Sequence, residues 1–349
     1  MFFRSIKVSA GRYASSGAFM LRYLKYTMKK ILFLLLLLNV SLCLMGQDKV
    51  KFVLFADIHY DSMPDGNERL SAIIKHAEKQ KADFMLELGD FIPAKPEYDT
   101  VKEQINSSAI PMFHTLGNHD IDRIDKKTYM EYWGMPASYY HFDKGPFRFI
   151  ILDSDFFIDK DGVLKSYDKG NYARVKEEDR NRYSKEEMAW LQDLLQDTTR
   201  ICLLFSHAPV NDRYAEVSQN RELHEMLLQA REKGTKIAMV FGGHMHSDNY
   251  HQIDGIHYMQ VNGASNIWGG EKFVNMERYP DSLYRKYPSL KYVIPYDRAL
   301  YATVEIDTKG NIKITGTKSK YVKPEPDKEL LKTKPYPCSS VISSLKLKY

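Results

Sequence analysis

Cysteine is scarce, with 3 residues in 349. That excludes a small scaffold stapled by disulfides and a metal site built on thiolates. Cys202 falls in an apolar stretch and reads as a buried strand thiol; Cys338 lies in a segment rich in proline, and pairing between the two is left open. Acidic residues are missing altogether from positions 1–46, which hold Arg4, Lys7, Arg12, Arg22, Lys25, Lys29 and Lys30. A continuous apolar run of roughly 20 residues, the length a membrane span requires, is missing too. Ile31 to Leu38 is followed by Asn39, and the apolar character resumes only from Val40 to Met45, before Gly46. A basic start, a short apolar core and a small residue describe a secretory signal peptide over 1–46, and hence export to a periplasmic or extracellular compartment. Met28 is an alternative start that would give this leader ordinary length. Lipid attachment at Cys43 is the weaker reading, because Leu42 precedes it rather than a small residue. Without the leader, the formal charge of +5 becomes 5 − 7 = −2. The basic balance therefore belongs to the leader, and nothing in it argues for nucleic-acid binding by the folded part. No stable membrane span is expected after cleavage, and no protein partner is indicated.

Internal repeats and clean linkers are likewise missing between residues 48 and 320. The expectation is one domain over 47–320, followed by a loosely packed tail, 321–349, with four prolines. Lys51 to Ala56 reads as a buried strand. A helix follows from about Glu68 to Gln80, with Leu70, Ile73, Ile74 and Ala77 on one face. A strand over Asp83–Leu88, a helix near Tyr98–Ser107 and a strand over Pro111–Leu116 come next. Alternating strands and helices imply parallel pairing with right-handed crossovers, and ligands in such sheets bind beyond the carboxyl ends of the strands. Further on, a helix is expected at Lys126–Trp133, with strands at Tyr139–Phe142 and Phe147–Leu152. Ser184-Lys-Glu-Glu187 reads as a capping box opening a helix. Strands over Ile201–Phe205 and Ile237–Phe241 flank a helix near Ser218–Lys233. A β-rich remainder covers Ile256–Val261, Tyr301–Ile306 and Ile312–Thr315. Residues 155–183 and 265–298 read as surface insertions.

Five strand ends carry chemistry. The first ends in Asp57-Ile-His59, the second in Gly89-Asp90, the third in Gly117-Asn118-His119-Asp120. Two later ones deliver His207 and Gly243-His244-Met-His246. Carboxylates, an amide and four imidazoles suit divalent transition metals. Seven candidates exceed the needs of one ion; with one carboxylate shared they divide between two ions roughly 3.5–4 Å apart, as in two-metal phosphoester hydrolysis. Asp-x-His and His-x-His on extended backbone would send alternate side chains to the same side. Asp120 is the expected orienting partner of His119.

Taken together, Asp57-x-His59, Gly89-Asp90, Gly117-Asn118-His119-Asp120, His207 and Gly243-His244-x-His246 resemble the calcineurin-like metallophosphoesterase superfamily, in its order, across residues 57–246. The resemblance implies an α/β fold, a four-layer αββα sandwich of two mixed β-sheets flanked by helices with a dinuclear metal site at the strand carboxyl ends. It implies that Asp57, His59 and His246 hold one metal, that Asn118, His207 and His244 hold the other, and that Asp90 bridges them. A metal-bridging hydroxide would then attack phosphorus, and His119, held by Asp120, would stabilise phosphoryl charge or protonate the leaving alkoxide. The cofactors implied are two divalent or trivalent transition-metal ions (Mn, Fe, Zn or Ni), and the substrate a small phosphomonoester, phosphodiester or nucleotide pyrophosphate.

Pro93 stands where purple acid phosphatases carry Tyr. Phe91-Ile92-Pro93-Ala94 replaces the Asp-Arg-Gly of protein phosphatases, and no chain remains for the second domain of periplasmic 5′-nucleotidases. The spacing is most similar to that of cyclic-nucleotide phosphodiesterases. Phe55-Ala-Asp-Ile-His-Tyr60 also resembles the ADP-ribose/CDP-alcohol pyrophosphatases, which stand as the alternative. A non-catalytic metal-binding module of the same fold is the remaining rival, opposed by the complete ligand set. Ordinary structural roles are expected for His76, His114, His141, His224, His251 and His257. Asp153 is a candidate extra site residue or a loop hydrogen-bonding group. Arg174, Arg180, Arg182, Trp268 and Phe273 are candidates to meet substrate.

Overall fold

The computed structural model describes residues 48–211, 217 and 219–349. The leader expected over 1–46 lies outside the described residues. In chain order, β1 (Lys49–Phe55), α1 (Gly66–Gln80), β2 (Phe84–Glu87), α2 (Asp99–Ser107) and β3 (Met112–His114) form the expected alternation. Then come α3 (Lys126–Trp133), β4 (Tyr140–Lys144), β5 (Phe147–Ile151), and a small hairpin of β6 (Phe156–Ile158) and β7 (Leu164–Ser166). After α4 (Lys185–Leu194), β8 (Ile201–Ser206), α5 (Asn220–Glu232) and β9 (Lys236–Gly242) follow β10 (Asn249–Ile253) and β11 (Ile256–Gln260). The second insertion holds β12 (Asn266–Trp268), α6 (Asp281–Lys286) and β13 (Val293–Pro295). The chain closes with β14 (Ala302–Asp307), β15 (Asn311–Gly316), α7 (Lys328–Leu331) and β16 (Leu345–Lys348).

Two six-stranded sheets run in the orders β16-β15-β14-β1-β2-β3 and β10-β11-β9-β8-β5-β4. Both are mixed. β1, β2 and β3 pair in parallel, as do β5, β8, β9 and β11, while the outer strands pair antiparallel. Phenylalanines knit the sheets together: Phe52 meets Phe149 at 5.6 Å and Phe205 at 6.0 Å, and Phe84 meets Phe149 at 4.9 Å, all edge to face. Such pairs contribute about 0.5–1.5 kcal/mol each beyond the burial of their area. Leu70, Ile73, Ile74 and Ala77 of α1 are buried, as the spacing predicts. Ile150, Cys202, Leu204 and Val240 form a second core with Met188, Leu191, Leu223 and Leu227 of α4 and α5. Helices thus cover two packed sheets, the four-layer arrangement expected.

The tail departs from expectation. Residues 48–349 form one compact unit, and β16 pairs antiparallel with β15 from Asn311↔Lys348 to Ile314↔Leu345. Leu345 and Leu347 alternate with lysines, a half-buried edge pattern that the prolines upstream obscured. Asn262 Nδ2 donates to the Ser339 and Val341 carbonyls at 2.8 and 2.9 Å, anchoring the approach to the strand. The first insertion is not merely surface either, since Tyr167, Tyr172 and Tyr183 are buried. The capping box at α4 is half made. Ser184 Oγ accepts from the Glu187 amide at 3.0 Å, but Glu187 Oε1 accepts from the Asp153 amide at 2.7 Å instead. Cys202 and Cys338 are both free thiols. Among the described residues, no helix is long and apolar enough to cross a membrane.

Candidate metal centre

The carboxyl ends of β1, β2, β3, β8 and β9 bring all seven candidates together. Asp57, His59 and His246 form one group whose ligand atoms lie within 4.8 Å of one another; Asp90, His207 and His244 form another. Asn118 joins the second, with Oδ1 3.2 Å from His207 Nε2. Asp90 Oδ2 faces both groups, 3.7 Å from His59 Nε2 and 3.4 Å from His207 Nε2.

The backbone that achieves this is not extended. Asp57, His59, Asp90, His244 and His246 have φ of 50°, 44°, 54°, 71° and 48°. Five residues with side chains in the left-handed region are costly, and such strain concentrates where surrounding structure over-determines a site. β1 and β9 end two residues before Asp57 and His244, so turns rather than strand alternation aim Asp57 with His59 and His244 with His246. Two glycines make room. Gly89 has φ 91°, and a methyl group there would lie 2.6 Å from His207 Nδ1. One on Gly117 would lie 2.3 Å from the Asp90 amide nitrogen.

Most of the candidate ligands have one polar atom tied outward and the other left facing in. His207 Nδ1 and His246 Nδ1 donate to the carbonyls of Leu88 and Asn266, each at 2.7 Å, which leaves both Nε2 lone pairs inward. This pairing of an outer acceptor with an inner lone pair is the usual arrangement of metal-binding histidines. Asp90 Oδ1 accepts from the His119 amide at 2.8 Å, and Asp57 Oδ2 from the His244 amide at 3.0 Å. Asp57 Oδ1 is buried without a hydrogen-bond partner, 3.5 Å from His246 Nε2. Imidazole nitrogens meet at 3.2 Å in His59–His246 and in His207–His244. An orphaned carboxylate oxygen and converging lone pairs fit two cations, because cations supply the missing partner to each.

Electrostatics agree with that fit. Burial pushes His59 well below the ordinary imidazole value and His244 down to about 3, so both are neutral donors. Burial works against the charged forms of Asp90 and His207 as well. The histidines around Asp90 nonetheless hold its carboxyl well below the usual range, and Asp90 holds His207 well above its own, so that a cation bound at Nε2 would take the place of a proton there.

Asp120 does not orient His119. Its carboxylate accepts from the amides of Gly117, Asp90 and Phe91 at 2.9, 3.1 and 2.8 Å, so it fastens two ligand loops to each other. The partner of His119 is Asp122, whose Oδ2 lies 2.7 Å from Nδ1. The 3-10 turn over Asn118–Ile121 carries Asp120 inward and brings Asp122 alongside. The His119 ring stands 5.4 Å from that of His59, half exposed at the mouth. Burial of its inner side pushes its pKa down, but Asp90 and the bond to Asp122 outweigh this and raise it to about 9.

Other residues lay beyond sequence reasoning. Tyr172 Oη accepts from Asn118 Nδ2 at 3.2 Å, which turns Oδ1 of the amide inward. Glu87, fully buried, accepts from the Gly89 amide at 2.7 Å and meets His114 Nδ1 at 3.1 Å. Burial drives Glu87 up to about 8 and His114 down to about 3, so the two form a neutral pair beneath the Gly89-Asp90 turn. Asp153 binds Lys126 Nζ at 2.7 Å and is spent there. His76, His224 and His257 bond to Thr303, Tyr258 and Tyr250, in the structural roles expected. Phe273 is buried, while Trp268 is exposed.

Residues 50–248 match the model of the calcineurin-like phosphoesterase family. A manganese-dependent ADP-ribose/CDP-alcohol diphosphatase from Oryza sativa subsp. japonica is 23% identical over 288 residues, covering 66% of this chain and 89% of that protein. Among solved structures, a dimetal phosphatase from Danio rerio superposes with a TM-score of 0.52 at 15% identity, covering 78% of this chain and 98% of that one. This second likeness is one of fold. With the match to the family model running through every strand end that bears a ligand, the chain belongs to the calcineurin-like phosphoesterase family and is a metal-dependent phosphoester hydrolase.

Proposed function

We propose that this protein cleaves a phosphoric ester or anhydride bond in a small nucleotide-type molecule, with nucleoside diphosphates esterified at the outer phosphate as the favoured class. The observation that carries the two-ion reading is the position of Asp90 Oδ2, within 3.7 Å of one histidine group and 3.4 Å of the other. Asp57, His59 and His246 would hold one ion, Asn118, His207 and His244 the second, and Asp90 would serve both. Ions held there supply Lewis acidity to the phosphoryl oxygens. His119, with Nδ1 engaged by Asp122, offers Nε2–H to the leaving oxygen, protonating it or bonding to its developing charge. Asp120 keeps the Asp90 and Asn118 turns in register. The resemblance to the rice diphosphatase supports both the pyrophosphate-linked substrate and manganese as the metal.

The test is a substrate panel on chelated enzyme, with Mn, Fe, Zn or Ni restored singly. ADP-ribose, a CDP-alcohol, a cyclic nucleotide and nitrophenyl mono- and diesters make up the panel. Manganese-dependent release of AMP from ADP-ribose, exceeding turnover of the other substrates, is the expected result. Selective cleavage of the cyclic nucleotide would replace this substrate class with the diesterase reading.

We also infer export, on the strength of Lys29-Lys30, the apolar run after it and the −2 charge of the remainder. Amino-terminal sequencing of protein recovered from cells is expected to begin near Gln47. Cytoplasmic protein retaining residues 1–46 would overturn this.

A further inference from the structure

Tyr172 belongs to neither strand nor helix of the first insertion, yet it is buried and its ring stacks on Tyr167 at 4.1 Å between centroids. Its hydroxyl meets three groups. It accepts from Asn118 Nδ2 at 3.2 Å, and it lies 3.0 Å from the Asn118 carbonyl and 2.5 Å from Asp122 Oδ1. A phenol has one proton, and a carboxylate outcompetes a carbonyl for it, so Tyr172 donates to Asp122. The other oxygen of Asp122 holds His119 Nδ1. One hydrogen-bond chain therefore runs from His119 through Asp122 and Tyr172 to Asn118.

We propose that Tyr172 is a positioning residue that couples the amide ligand Asn118 to the acid–base histidine His119. The proposal rests on the roles assigned above to Asn118 and His119, and adds a residue to them. An asparagine amide has two unlike ends of nearly equal size, and only a bond to one end decides which faces inward. Tyr172 Oη takes the NH₂ end, leaving Oδ1 beside His207. The same oxygen gives its proton to Asp122, fixing the carboxylate that fixes His119. Removing one hydroxyl should thus disturb metal affinity in one half of the centre and leaving-group protonation together, although Tyr172 touches neither metal nor substrate.

The test uses the full-length protein and compares Tyr172→Phe, Asn118→Asp, the double variant and Asp122→Asn. Manganese affinity is read by calorimetric titration. Leaving-group dependence is read as the ratio of kcat/KM on an alkyl ester to that on a nitrophenyl ester. Tyr172→Phe keeps the stacked ring and is expected to weaken one of two bound ions about tenfold, as loss of an outer partner commonly does. It is also expected to lower the alkyl-to-nitrophenyl ratio about tenfold, a fraction of the full general-acid contribution. Aspartate at 118 has two equivalent oxygens, so in that background the phenol's effect on metal affinity should vanish while its effect on the ratio persists. Wild-type values for Tyr172→Phe, or an undiminished metal effect in the Asn118→Asp background, would overturn the coupling. Should Tyr172→Phe not fold, Asp122→Asn carries the test, because a wild-type ratio there breaks the chain at its middle. Failure of the unaltered protein to bind manganese or turn over either ester would instead sink the functional reading on which this rests.

Discussion

Around His246, the outer bond that fixes the ring goes to backbone, the carbonyl of Asn266 in the second insertion. Around Asn118, it goes to a side chain, the phenol of Tyr172 in the first insertion. The two halves of the centre differ in exposure as well. His59 keeps 17% of its side chain accessible at the mouth beside His119, whereas His207 keeps 1% at the floor. A carbonyl is supplied by any residue at that place, so the first half depends on the path of the chain. In the second half His207 is likewise tied to a backbone carbonyl, that of Leu88, but Asn118 depends on a particular side chain, Tyr172, and a single substitution there can retune it.

The largest effect expected removes the distinction altogether. Asp90→Asn takes the carboxylate that serves both halves, and elemental analysis should fall from two ions per chain to below one, with activity lost by about 10³-fold or more. His59→Ala should cost only the ion of its own half. Equal loss of both ions in the two variants would mean the halves are not separable. Next in size, His119→Ala should leave both ions in place and slow hydrolysis of alkyl esters by about 10²–10⁴-fold, with a smaller loss on nitrophenyl esters. A fall in metal content would move His119 into the ligand set.

A moderate effect concerns the floor alone. Glu87, with a folded pKa of about 8, is protonated in the native state but ionised in the unfolded chain above about pH 4.5. The native state then binds the extra proton, so this group's contribution falls as pH rises toward 8. His114, held near 3, acts oppositely below about 6.5 and offsets part of the change there. Denaturant unfolding should therefore show stability declining between about pH 6.5 and 8, by at most about 2 kcal/mol. Glu87→Gln, which keeps the neutral shape, should flatten that slope; an unchanged slope would assign it elsewhere. The smallest effect is at Trp268, 47% exposed on the second insertion. Trp268→Ala should change stability by about 0.5 kcal/mol or less and leave manganese affinity unaltered, since Asn266 supports His246 through its carbonyl.

Helix α1 was legible from Leu70, Ile73, Ile74 and Ala77, because amphipathic periodicity is local. All seven residues that converge were legible by type and by place at strand ends. Their geometry was not: Asp57-x-His59 suggests alternation along a strand, while the chain takes left-handed turns there. Asp120 was the natural partner for His119 by adjacency. A 3-10 turn instead hands that bond to Asp122, because a short polar side chain next to a tight turn bonds readily to nearby amides. Tyr172 carried no signal, since one tyrosine in a polar stretch lacks periodicity and spacing. The tail misled because prolines mark irregular backbone without showing what that backbone leads to, here the edge strand β16.

By itself, the sequence determined the order of the strands and helices that carry the site, the donor types and the set of candidate ligands, since these depend on local patterning and on each side chain's chemistry. Only the tertiary structure decided which end of each ligand faces inward, which acid holds His119, and which insertion supports which half. Those outcomes depend on contacts between segments as far apart as Asn118 and Tyr172 or His246 and Asn266, and a hydrogen bond's direction exists only once both partners are in place.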